Sequence, residues 1–223
     1  MARSVFAAGE AKAREAGAEL GRAFLLSKLG VASDELGDHE AAADFHTKAD
    51  QAFVKFDDIS GQAYVASRLS STAYLQGDYE RALRHALDGL EKFESVNHRW
   101  GVIISRCRAA LAEIELGQID SALSRLGEAL TMAQEAGMRE ATFYALTGIG
   151  RAWAAAGIDE DAALLLSFTV SAKNPYQKFA TPALEAVVER LSADELGAIR
   201  RRAAELDLEA AVELAAPISH SAQ

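Results

Sequence analysis

The stretch Leu75–Leu90, LQGDYERALRHALDGL, carries the punctuation of a helical hairpin. A helix closes at Leu75-Gln76, Gly77 stops it, Asp78 caps the next one, and YERALRHALDGL runs on as an amphipathic helix. Glycine after a helix and aspartate before one satisfy backbone groups that helix ends leave open. One hairpin cannot bury its own apolar face. The reading therefore turns on whether the rest of the chain supplies neighbours of the same kind.

It does. Gly37 lies 40 residues before Gly77, Gly117 lies 40 after it, and Gly157 lies 80 after it. The local strings are ELGDHEAAA, LQGDYERAL, ELGQIDSAL and AAGIDEDAA. Five residues past each glycine stands Ala42, Ala82, Ala122 or Ala162, and eight before it stands Leu29, Leu69, Ala109 or Ile149. A second mark recurs at Gly21, Gly61, Gly101 and Ala141. A phase held through four units without insertion signals a repeat array. Each unit is read as helix A (about 21–36, 61–76, 100–116 and 139–156) followed by helix B (about 38–57, 78–96, 118–136 and 159–173). The recurring alanine lets helix B approach helix A closely, and stacking of units buries a continuous core.

Composition agrees with an all-helical chain. Among 223 residues half are apolar, and proline occurs only at Pro175, Pro182 and Pro217. Alternating β-branched runs, the signature of strands, are nearly absent. The formal net charge is −10, which disfavours direct contact with nucleic-acid phosphates. Cys107 is the only cysteine, so no intrachain disulfide and no multi-thiolate zinc site can form, as suits a reducing cytoplasm. Arg106 and Arg108 flank it and could lower its pKa, but a small packing residue is the favoured reading. No run reaches the ~18 apolar residues that a membrane span needs, and the N-terminus lacks the apolar core of a signal peptide.

The array resembles the tetratricopeptide repeat. Leu29-Gly30 and Ile149-Gly150 match that motif's Leu-Gly pair, Trp153 its helix A aromatic, and Ala49, Gly89 and Ala129 its second small position in helix B. The period of 40 exceeds the family's usual length, and the proline at the repeat end is missing. The segment VNHRWGVIISRCRAALAEIELGQIDSALSRLGEALTMAQEAGM is similar to the long-period arrays of bacterial signal-transduction ATPases and large transcriptional activators of the maltose-regulator type. Asn97–Gly101, NHRWG, is the counterpart of the turn that opens helix A there. The resemblance implies an all-α, right-handed superhelix, a solenoid of antiparallel hairpins, with helix A on the concave side.

The expected organisation is residues 1–20 as an in-phase helix B of an incomplete repeat or an N-terminal cap, with both readings open. Repeats follow at 21–60, 61–99, 100–138 and 139–178, then capping helices within 179–216 and a tail at 217–223. Thr181-Pro182 reads as an N-cap followed by proline at the first helical position, and Ser192–Glu195, SADE, as a capping box. The predicted terminal helices are about 180–191, 193–205 and 207–215. A helix B without its partner leaves an apolar face, which invites self-association.

No phosphate loop, GxGxxG, HExxH or GxSxG is present, and no two of the five histidines stand four apart. The expectation is therefore no enzyme, no cofactor and no metal. What remains is surface. Counting from each opening residue, the first column of helix A is Phe24, Tyr64, Ile104 and Tyr144, large and apolar or aromatic. The second is Ser27, Ser67, Cys107 and Thr147; the third is Lys28, Arg68, Arg108 and Gly148, basic in three of four; the fourth ends on Arg151. The first column is either inter-repeat core or a groove floor for a peptide, and the basic column could meet an acidic partner segment.

The candidate partner-binding set is Phe24, Tyr64, Ile104, Tyr144, Ser67, Cys107, Arg68, Arg108 and Arg151. The expected function is a protein-interaction scaffold that binds a protein or peptide segment, with no nucleic acid and no membrane. It would be the sensor or docking part of a bacterial signalling ATPase or transcriptional activator. The alternative is a stand-alone adaptor or peptide-responsive regulator.

Overall fold

The computed structural model describes residues 2–172, 174 and 176–216. The expected tail at 217–223 lies outside the described residues, as does Pro175. The described residues form twelve α-helices and no strand, so the chain is all-α as its composition predicts. In order they are α1 (Ala2–Glu15), α2 (Glu19–Glu35), α3 (His39–Lys55), α4 (Ile59–Leu75), α5 (Tyr79–Ser95), α6 (Arg99–Glu115), α7 (Ile119–Glu135), α8 (Arg139–Ala156), α9 (Asp159–Ser171), α10 (Gln177–Val188), α11 (Ala193–Glu205) and α12 (Leu208–Ala215).

The chain divides into two compact units, residues 1–112 and 113–223. Within the first, α1 packs on α2, α2 on α3, α3 on α4 and α4 on α5. Its core includes Ala23, Leu26, Leu29, Ala49, Phe53 and Val65. Within the second, α7 packs on α8 and α8 on α9, while α10 and α11 pack on α9 and α12 on α8. The recurring helix B alanines, Ala42, Ala82, Ala122 and Ala162, are fully buried. Gly89 shows why the second small position matters. A Cβ there would stand 3.2 Å from the Ser67 backbone nitrogen and 3.3 Å from the Ala63 carbonyl, so α5 lies nearly backbone to backbone on α4.

The turns repeat at half the sequence period. Gly17, Gly37, Asp57, Gly77, Asn97, Gly117, Gly137 and Gly157 fall every 20 residues, and all have positive φ, between 52° and 78°. Every turn between α2 and α8 has the same form. At Gly37, its own N–H donates to the Asp34 carbonyl (3.0 Å) and the Asp38 N–H to the Ser33 carbonyl (2.9 Å), which closes the helix with a left-handed residue. The next residue starts the following helix; Asp38, Asp58 and Asp78 each accept an N–H of the new first turn with their side chains.

Two expectations change. Helices A open at Glu19, Ile59 and Arg99, not at 21, 61 and 100, because Gly61 and Gly101 are not turn residues. They sit inside the helix and clear space for a ring: a Cβ would lie 2.2 Å from Phe53 at Gly61 and 2.4 Å from Phe93 at Gly101. Nor does Thr181-Pro182 open a helix. The helix begins at Gln177 with Pro182 inside it, because the Asn174 side chain accepts the Tyr176 N–H (2.8 Å) and sets the start earlier. The Thr181 hydroxyl instead donates back to the Gln177 carbonyl (3.0 Å). The capping box at Ser192 and Glu195 forms as read.

Asp57 and Asn97 hold the left-handed conformation without being glycine. Asn97 is exposed, so its backbone preference can be tested alone. Asn97→Ala is expected to cost about 1 kcal/mol, since a Cβ without a compensating polar group disfavours that region. Asn97→Gly should cost nothing measurable. Urea midpoints of the two variants check this, and equal midpoints would show that the turn relaxes elsewhere.

Candidate interaction face

Each helix A places its sixth and tenth residues on one face, four apart. In the first unit these are Phe24 and Lys28 on α2, Tyr64 and Arg68 on α4, and Ile104 and Arg108 on α6. The first column is not uniform. Phe24 is 48 % exposed and meets Phe53 edge-on at 4.9 Å between ring centroids. Tyr64 is half-buried and packs against the core of the first unit. Ile104 and Tyr144 are buried. In the second unit Tyr144 is covered by Tyr176, stacked at 4.0 Å and 4°, with Phe179 next to it. A ligand on this face can therefore touch Phe24 and the edge of Tyr64, but not Ile104 or Tyr144 in this conformation.

The small column is buried throughout, with Ser27, Ser67, Cys107 and Thr147 at 3 % exposure or less. Burial pushes the Cys107 thiol up to about 12, although Arg108 pulls the other way. It is a packing residue, not an activated thiol. Ser67 accepts from Arg108 through both its carbonyl (2.9 Å) and its hydroxyl. Ser27 Oγ lies 3.3 Å from His46 Nδ1.

In the basic column, Lys28 is exposed, whereas Arg68 and Arg108 are half-buried. Gly148 breaks it in the second unit because Leu126 fills the space: a Cβ there would lie 2.4 Å from the Leu126 side chain. Arg151 forms an ion pair with Glu115. The structure thus separates the sequence's candidates. Phe24, Tyr64, Arg68 and Arg108 have surface or ligand-accessible parts, while Ile104, Tyr144, Ser67 and Cys107 do not.

Two groups escaped the sequence reading. His46, on α3, is fully buried, and burial, with Arg68 and Arg108 adding to it, lowers its pKa to about 3. It is held neutral, and its Nε2 has no hydrogen-bond partner. Its ring fills the space left by Gly30, where a Cβ would lie 2.6 Å away. Leu166 fills the space at Gly150 in the same way three repeats on. That pairing was legible: where helix A has glycine, helix B has a large residue at matching register. The second group is the buried carboxylate Glu113, 3 % exposed, which pairs with Arg125 at 2.7 Å. Repeat alignment places it where other units have Ser33, Ala73 and Trp153.

Among the described residues no group of three His, Cys, Asp or Glu side chains could hold a metal. No helix among them is long and apolar enough to cross a membrane. No protein-family model matches this chain, and no curated protein matches its sequence.

Proposed function

We propose that the chain is a protein-interaction scaffold that docks a partner segment on the helix A face of its first unit. The observation that carries this reading is Phe24, a large aromatic left 48 % exposed on the same face as Lys28, Tyr64 and Arg68. Aromatic anchors beside cations are common at binding hot spots. The long-period repeat and the NHRWG turn support the further reading that the scaffold is the sensor or docking part of a bacterial signalling ATPase or transcriptional activator. The same face would serve a stand-alone adaptor.

Photo-crosslinking in the source cells tests this. A benzoylphenylalanine at position 24 is expected to trap a defined polypeptide, while the same probe at exposed Glu91 on α5 does not. A trapped ATPase or activator would support the sensor reading, and an unrelated partner the adaptor. Equal trapping at both positions, or none at 24, would overturn docking on this face.

A further inference from the structure

We infer that Lys28, Tyr64, Arg68 and Arg108 form a binding site for an oxyanion, a carboxylate or phosphoryl group, presented beside an apolar contact at Phe24. Two cations converge on one ring. Lys28 Nζ donates to the Tyr64 hydroxyl at 3.2 Å and stands 5.4 Å from the ring centroid. The Arg68 guanidinium carbon lies 4.8 Å from the same centroid. Arg108 reaches the same place, since it donates to the carbonyl and hydroxyl of Ser67, the residue before Arg68.

Lys28 and Arg68 carry their charge without a carboxylate beside them among the described residues. Elsewhere in this acidic chain arginines meet carboxylates, as Arg22 meets Glu10, Arg106 meets Glu94 and Arg190 meets Asp159.

A donor is also left without an acceptor. Arg68 Nε is buried and makes no hydrogen bond, a state that native proteins rarely leave unanswered. Arg108 is steadied by the Ser67 carbonyl and hydroxyl, which orients its guanidinium beforehand. Planar guanidinium forks suit the paired oxygens of a carboxylate or phosphate. Tyr64 shows the same field. Burial acts to raise its pKa, but Arg68 and Lys28 outweigh it and the phenol falls below its ordinary value. An oxyanion placed among these groups would remove the mutual repulsion of the cations and supply the missing acceptor.

Calorimetric titration of the full chain tests this with two probes, inorganic phosphate and a synthetic peptide of alternating Glu and Leu. At least one is expected to bind, more weakly as salt rises, and about tenfold more weakly to Arg68→Gln. Lys28→Gln, at an exposed position, should weaken binding without touching the fold. Melting of Arg68→Gln in the absence of anion should not fall, because an unbalanced cation has been removed. Phosphate binding without peptide binding would assign a phosphoryl ligand and leave the docking of a protein segment unsupported. Peptide binding that Phe24→Ala also weakens would assign a carboxylate-bearing segment. Binding of neither probe, or unchanged binding by both variants, would overturn the site.

Discussion

Arg125→Met is expected to destabilise the second unit by about 3–5 kcal/mol, because it leaves a buried carboxylate without its cation. Arg125 grips Glu113 with Nε, 3.2 Å from Oε1 and 3.0 Å from Oε2, and with one Nη 2.7 Å from Oε1. Ser121 adds a hydrogen bond of 2.9 Å to the same carboxylate. Once Arg125 is gone, Ser121 is the one hydrogen-bond partner left among the described residues for a side chain that is 4 % exposed. The reverse change is milder. Arg125 is itself 21 % exposed and can turn to water, so Glu113→Leu is expected to cost about 1–2 kcal/mol. The double variant should recover most of the loss from Arg125→Met, as apolar replacements of buried pairs often do. Urea unfolding of the three variants gives the cycle. If the two single variants cost the same, the pair is better solvated than its burial indicates.

The pair also shows what the sequence could disclose. The repeat was legible because turn glycines and helix B alanines hold their phase, and both answer to backbone geometry that allows few substitutes. The half-period was harder to see. Asp57 and Asn97 do the work of glycine at two of the eight turns, and residue identity alone hides their equivalence until tolerance of positive φ is the criterion. Gly61 and Gly101 misled for the opposite reason: they are glycine for space against a phenylalanine ring, not for φ. Pro182 misled because its ring is accepted inside a helix whose start Asn174 had already fixed.

The face was less legible than the fold. Phe24 and Tyr144 hold the same register, yet one is 48 % exposed and the other 4 %. The difference comes from Tyr176 and Phe179, which lie over Tyr144 and come from the segment that follows the last helix B. Register fixes the direction in which a side chain leaves its helix. What covers it is decided by other parts of the chain, so burial cannot be read from register alone. The uncompensated charge at Lys28 and Arg68 is similarly invisible in a sequence whose net charge is −10.

His46 gives the second large effect, and it is a dependence on pH. The group titrates near 6.5 when unfolded and at about 3 when folded. Below 6.5 the unfolded chain therefore takes up a proton that the folded chain refuses, down to about 3. The stabilisation is complete above 6.5, is lost progressively as pH falls between those values, and changes no further below them. The gap amounts to roughly 5 kcal/mol for this one group. His46→Leu isolates it, because the chain already pairs Leu166 with Gly150 as it pairs His46 with Gly30. At pH 7 the variant is expected to match or exceed the wild type, since the unpartnered Nε2 is gone. As pH falls the two unfolding curves should diverge in the variant's favour, while the carboxylates common to both contribute equally. Parallel curves from pH 7 to pH 4 would mean that His46 already reaches water and takes its proton in the folded state.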